Sequence, residues 1–324
     1  MTHGPVKDAQ TAPESHCSAP TFYQKSPESG GAVPMDKAGV EPRELYLDMV
    51  KRCVLNIPYV DAELNPIQPF GKFRKVVLQL SLLANVQLAH RSRGDYLRRM
   101  AGNDYSDIAH SMLSMDRLDN LQYCIETVLH EGVPGDLVET GVMRGGAIIL
   151  MQAVLRCNDV VDRGVWAADS FAGLPAPDLE SYPEDEGASW HLRPLTEVSV
   201  DHVRRNLDRY GLLNDNVRFV VGWFRDTLPT APIEQIAVLR LDGDLYESTM
   251  EALVPLYPKV VDGGFVIIDD YNLPACRKAV EDYRSQHGIH DQIVPIDDAG
   301  VYWRVRLEDG DSSQRMVLDD SSRA

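Results

Sequence analysis

Two periodicities alternate along this chain. From Glu44 the run LYLDMVKRCV places Leu45, Met49 and Val54 near helical spacing until Pro58 ends it, and KVVLQLSLLANVQLAH (75–90) reads as a second, more apolar helix whose all-round apolarity calls for burial against the main domain or a partner subunit. From Arg117 onward, helical stretches near 145–157, 197–210, 247–257 and 274–287 are interleaved with short apolar runs: 135–140, 164–169, 217–223, 237–244, 264–270, 292–297 and 300–305. Alternation of this kind predicts βαβ units feeding a parallel sheet, and strands continuous in Val, Ile and Leu predict helices on both faces. Only a few residues separate the last two runs, so they form a hairpin and one strand is antiparallel. The expected fold is α/β: a Rossmann-like, mainly parallel seven-stranded sheet with helices on both faces, and N-terminal accessory helices.

Four segments follow. Residues 1–40 carry five prolines among Ser, Gly and Ala and read as a disordered or loosely docked arm; 41–116 are a helical accessory region, 117–308 the sheet domain and 309–324 a flexible tail. One main core suits the 324 residues. The segment 177–199 is too polar for a core element and sits where a substrate lid would; His191 and Trp190 could meet a ligand there, although a lone loop histidine is more often solvent-facing.

Charge narrows the partners. Lys+Arg number 32 against 49 Asp+Glu, and the net −17 repels a nucleic-acid backbone. No apolar run approaches the ~18 residues of a membrane span, and the opening residues lack a signal-peptide pattern, so a cytoplasmic protein is expected. Five scattered cysteines without a C-x-x-C pair read as reduced thiols.

Ligands of open α/β sheets bind beyond the carboxyl ends of the strands, and four of these strands end in acids: Glu139, Asp169, Asp242, and Asp269 with Asp270. The first runs into ETGVMRGGA, where Thr140 leads to Gly141, Gly145 and Gly146, a turn that lets backbone approach a ligand. Glu139 there suits an ammonium or sulfonium and disfavours a pyrophosphate, which points to S-adenosylmethionine rather than NAD. Asp169 is placed to accept ribose hydroxyls, followed by Ser170 and Phe171; Gly222, Trp223 and Phe224 offer close backbone approach and aromatic surface for adenine, though Phe171 and Trp223 serve equally well as packing. Asp242, Asp269 and Asp270 at neighbouring strand ends repel one another unless a cation stands between them, and hard oxygen ligands without His or Cys suit magnesium rather than zinc. Such an ion would lower the pKa of a bound alcohol, with Asp242 assisting deprotonation and Asp244 as the alternative.

These residues stand in segments that resemble the macrocin-type O-methyltransferases, which methylate deoxysugars on macrolides and related antibiotics: LYLDMVKRCV, RLDNLQYCIE, EGVPGDLVETGVMRGGA, ADSFAGLPAPD, GWFRDTLPTAPIEQIAVLRLDGDLYEST, LYPKVVDGGFVIIDDYN, ACRKAVEDYR and GVYWR, together spanning about Leu45 to Arg304. The resemblance implies a class I SAM-methyltransferase fold, a donor site at the glycine-rich turn and Asp169, magnesium on Asp242, Asp269 and Asp270, a base at Asp242, and a small-molecule glycoside as acceptor. The chain departs from the family's usual pattern at Met143, where an aromatic is common, and in its longer N-terminal arm. A homo-oligomer, most simply a dimer, is expected from the apolar accessory helices. There are three rivals: a catechol-type O-methyltransferase, which typically has a lysine where this chain has Leu245, a NAD-linked oxidoreductase on the same architecture, and a non-catalytic scaffold that retains the fold, for which nothing predicts the three strand-end acids to be intact.

Overall fold

The computed structural model describes residues 41–67, 72–86, 88–104, 106–192 and 198–307. The expected arm (1–40), the tail (309–324) and part of the expected lid (193–197) lie outside them.

Seven strands form one sheet: β3 (Asp136–Thr140), β4 (Val165–Asp169), β5 (Val217–Val221), β6 (Ile236–Leu241), β7 (Val260–Ile268), β8 (Val294–Pro295) and β9 (Val301–Arg304), in the order β5-β4-β3-β6-β7-β9-β8. All neighbours from β5 to β7 are parallel; β9 runs antiparallel to both β7 and β8, as the short connection between the last two runs predicts. The chain walks outward from β3 to β5 and then returns to place β6 against β3, so the topological switch lies between those two strands.

Helices cover both faces because the buried strands alternate their side chains between two cores. Leu137 and Val238 join one core with residues of α1 (Pro42–Val54), α4 (Met115–His130), α5 (Gly146–Cys157) and α6 (Val200–Arg209). Val138 and Leu239 join the other, with α8 (Tyr246–Leu256) and α9 (Pro274–Gln286). α1 therefore belongs to the same core as α5, through Leu47, Val50 and Val54. Among the described residues no helix is long and apolar enough to cross a membrane.

One element departs from expectation. The helix anticipated at 75–90 is α2 (Lys72–Leu83), and it stops seven residues early. Asn85 takes the left-handed conformation (φ 55°), Ala84 N–H donates to Leu80 O and Val86 N–H reaches back to Ser81 O at 2.8 Å, a C-terminal cap that satisfies the last carbonyls. The chain then forms β2 (Ala89–Ser92), paired antiparallel with β1 (Glu63–Pro66). Within the chain α2 is not buried: Val76, Leu80 and Leu83 are exposed. The two remaining helices, α3 (Tyr96–Met100) and α7 (Phe224–Thr227), are short.

Candidate functional site

The switch between β3 and β6 gathers the acids. In parallel register Glu139 lies opposite Arg240, and Asp242 N–H donates to Thr140 O just past the strand end. Neighbouring β7 ends so that Asp269 N–H donates to Leu241 O. Strand alternation thus sets Glu139 and Arg240 on the face covered by α4 and α5, and Asp269 continues the same face from Phe265 and Ile267. One carboxylate oxygen from each of Asp242, Asp269 and Asp270 lies within 4.8 Å of the others, so the structure does bring the expected trio together.

The charge between them is not what the sequence suggested. Arginine guanidinium groups already stand among these carboxylates. Arg240, fully buried, places Nη1 2.6 Å from Glu139 Oε1 and Nη2 3.1 Å from Asp242 Oδ2 and 2.7 Å from Asp269 Oδ1. Arg117 of α4 reaches Asp269 Oδ2 at 2.6 Å and Asp297 Oδ2 at 2.9 Å, and Asp297 Oδ1 accepts the Ala299 and Gly300 amides that form the β8–β9 turn. The signal for Arg240 was present, an arginine in the middle of an otherwise apolar strand, but its partners become visible only with the register.

The compensation is incomplete. Among the described residues Asp269 Oδ1, although 2.7 Å from Arg240 Nη2, accepts no hydrogen bond, and Glu139 Oε2 is buried without a donor. Burial pushes the Glu139 carboxyl up to about 8, with Arg240 opposing it. Burial likewise raises Asp242, reinforced by Asp269 and opposed by Arg240, and it raises Asp270 further, with Asp244, Asp242 and Asp269 adding repulsion. Carboxylates that converge this closely, with an orphaned oxygen and excess negative charge, fit a hard divalent cation.

Two cavities meet here. A cleft of about 1210 Å³, counting its open mouth, is walled by Arg117, Glu139, Asp242, Asp269, Asp270 and Trp190, among others. A second hollow of about 710 Å³ is lined by Asp169, Ser170, Leu174, Trp223, Phe224 and Glu251. Gly141, Met143, Asp242 and Asp244 are among the residues that line both, so Asp242 and Asp244 stand where the acid-lined cleft meets the hollow. Gly141 cannot carry a side chain: a Cβ would lie 1.7 Å from Asp242 O, because β3 and β6 touch there. Asp244 holds φ 60°, a strained conformation for a non-glycine residue, with its N–H donating to Asp270 Oδ2.

The other expected residues divide. Asp169 lines the hollow while its carboxylate ties the turn together: Oδ2 accepts from Val142 and Met143 N–H at 2.6 and 3.3 Å, and Oδ1 from Phe171 N–H at 2.7 Å. Burial raises it against those three donors. Ser170, Trp223 and Phe224 reach the hollow; Thr140, Gly145, Phe171 and Gly222 line neither cavity. Thr140 is buried at the strand end, Gly145 leads into α5 in the left-handed region and packs on Val203, Phe171 rests against Phe219, and Gly222 bonds through N–H to Asp169 O. They shape the turns. Sequence reasoning missed the segment before α4, whose His110, Ser111 and Met112 wall the cleft.

His110 is half-buried, with Nδ1 3.0 Å from the Tyr210 hydroxyl. Burial, aided by Arg209, Arg144 and His202, lowers it from 6.5 to about 4. The folded chain therefore holds it neutral where the unfolded chain protonates it, and its contribution to stability is present above pH 6.5 and lost as pH falls toward 4. Replacing it by glutamine should shrink the loss of melting temperature over that window; an unchanged loss refutes the assignment.

Comparison with known proteins agrees with this geometry. The family described as macrocin O-methyltransferase (TylF) matches residues 43–305. The chain is 49% identical over 265 residues to the 8-demethyl-8-(2,3-dimethoxy-alpha-L-rhamnosyl)-tetracenomycin-C 4'-O-methyltransferase of Streptomyces olivaceus, covering 82% of this chain and 94% of that one. It is 48% identical over 266 residues to the mycinamicin III 3''-O-methyltransferase of Micromonospora griseorubida, covering 81% and 96%. Among solved structures, the O-methyltransferase NovP superposes with a TM-score of 0.71 at 44% identity, covering 82% of this chain and all of that one.

Proposed function

The chain belongs to the macrocin O-methyltransferase family, and from that premise we propose that it moves the methyl group of S-adenosylmethionine to a sugar hydroxyl of a glycosylated natural product at a magnesium-dependent site. One observation carries the reading: Asp242 stands at once in the acid trio and on the wall of both chambers. A donor seated in the hollow and an acceptor seated in the cleft then meet at a single carboxylate.

Asp242, Asp269 and Asp270 would hold the ion, which when bound supplies Lewis-acid activation of an otherwise poorly acidic alcohol. The rest is done by side chains and backbone. Trp223, Phe224 and Leu174 give the hollow an apolar lining suited to an adenine ring, with Asp169 beside them for the ribose hydroxyls. Glu139 lines the cleft and not the hollow, and its Oε2, buried without a partner among the described residues, is left to bond a donor group of a ligand. Arg240 holds Asp242 Oδ2, and Arg117 holds Asp269 Oδ2, so both carboxylates are oriented before any ligand arrives. Asp242 takes the hydroxyl proton, with Asp244 as the second candidate; displacement at a sulfonium gains chiefly from such alignment.

A catechol-type reaction finds no support at Leu245, which is buried at the start of α8 and offers no base. The exposed apolar residues of α2 support the homodimer reading. The deciding experiment is labelled-methyl transfer over a panel of deoxysugar glycosides and their aglycones, with magnesium and with chelator. Product is expected only from glycosides with a free sugar hydroxyl, lost on chelation and restored by magnesium. Activity indifferent to chelation overturns the metal; methylation of aglycones alone overturns the sugar.

A further inference from the structure

The connection after β4 reads as surface, and from Ser170 to Leu192 its residues are exposed or half-exposed with one exception. Asp185 is 1% exposed. It ends a single 3-10 turn, Pro183–Asp185, and both its carboxylate oxygens bond to the main chain of another element. Oδ1 accepts Tyr246 N–H at 2.7 Å, and Oδ2 accepts Glu247 N–H at 3.1 Å. Those are first-turn amides of α8, whose own N-cap, Leu245, provides no side-chain acceptor. Asp185 therefore caps α8 from 61 residues upstream, its negative charge set against the positive end of the helix. The Tyr182 and Tyr246 rings flank the junction at 6.1 Å, and Tyr246 in turn donates its hydroxyl to Asp282 of α9.

The anchor sits between functional surfaces. Immediately before α8 runs the loop Asp242–Leu245, with Asp242 and Asp244 on the walls of both chambers. Five residues after Asp185, Trp190 walls the acid-lined cleft; ten residues before it, Pro175 lines the hollow. Between Ser170 and Leu192 Asp185 is the one fully buried side chain, so it is the deepest point at which this part of the connection is fixed to the sheet domain.

We propose that Asp185 is a positioning residue of the acceptor site, a polar latch that joins the connection after β4 to the start of α8 and so sets Trp190 across the cleft from the Asp242–Leu245 loop. This rests on the reading that the glycoside occupies that cleft. Asp185 touches no substrate; it acts through Trp190 and through the loop that α8 follows. A cap with a merely stabilising role would leave the acceptor's KM alone.

Hydrogen exchange of the 178–190 segment and steady-state kinetics separate these cases in the full-length chain. Asp185→Ala should speed exchange in that segment and raise the KM for the glycoside by about 3- to 30-fold, the span equivalent to loss of a helix cap, with S-adenosylhomocysteine affinity held within about twofold. Asp185→Asn, which keeps one acceptor oxygen, should fall between, and it carries the test if the alanine variant does not fold. Trp190→Ala should raise the same KM without faster exchange around Asp185. Unchanged exchange, an unchanged KM, or equal losses of donor and acceptor binding overturn the latch. If the wild-type chain methylates no glycoside, the functional reading fails, and exchange by itself then decides for or against the latch.

Discussion

Asparagine in place of Asp242 should lower kcat for methyl transfer by roughly 10²–10⁴-fold, the range of a positioned proton acceptor, while S-adenosylhomocysteine binding changes only a few-fold. The substitution keeps size and shape, and the amide oxygen can still accept from Arg240 Nη2, now 3.1 Å from the carboxylate, so the strand end should stay in place. What disappears is one negative charge from a trio converging within 4.8 Å, and with it both cation affinity and the capacity to take a proton. Rapid-quench or steady-state assays at saturating magnesium measure the loss, and titration with manganese followed by paramagnetic resonance reads cation affinity without turnover. Asp244→Asn is the control. Asp244 lines the same chambers, but the loop's exit is held by its backbone, whose N–H donates to Asp270. If Asp244→Asn is the more damaging of the two while Asp242→Asn keeps more than a tenth of wild-type kcat, the proton goes to Asp244 and the role given to Asp242 is wrong.

The sheet and the acids were legible for the same reason. A strand covered on both faces must be apolar along its length, so VLRL and FVII announce themselves, and the polar residue that ends each run marks the sheet's carboxyl edge. β1 and β2 were not legible: ELNP and AHRS contain almost no apolar alternation, and each strand exists only because the other pairs with it. The end of α2 at Leu83 depended on Asn85 entering the left-handed region, an option asparagine has but does not always take. Asp185 is the sharpest case. Within YPEDEG it looks like one more solvated acid, and only the fold shows that two orphan amides await it.

The acid trio also shows where counting charges along a sequence goes astray. Three carboxylates at adjoining strand ends demand positive charge, and a divalent ion is one source. Arg240 and Arg117 are another, supplied from within the same sheet and from the helix over it. The two are compatible because Asp242, Asp269 and Asp270 border the open cleft beside both arginines, and among the described residues Asp269 Oδ1 accepts no hydrogen bond. Four aspartates, Asp242, Asp269, Asp270 and Asp297, and the buried Glu139 face two arginines, and burial, reinforced by repulsion among the acids, raises the Asp242 and Asp270 carboxyls. The arginines orient; they do not neutralise.

That division gives the largest stability effect expected of any single substitution here. Arg240→Met removes the common partner of Glu139, Asp242 and Asp269 and leaves the buried Glu139 and Asp269 without it, a change that typically costs about 3–5 kcal/mol. For a domain of this size that corresponds to a melting temperature lower by roughly 6–20 °C. Lysine should recover only part, since one ammonium cannot reproduce the guanidinium's fork to three carboxylates. Glu139→Gln combined with Arg240→Met should be less destabilised than the two changes added, because the most deeply buried acid is then neutral. Magnesium should raise the melting temperature of Arg240→Met more than that of the wild type, since the same carboxylates then lack their internal cation. A variant that melts within about 2 °C of wild type and gains nothing extra from magnesium would show that the arginine and the ion do not share these ligands.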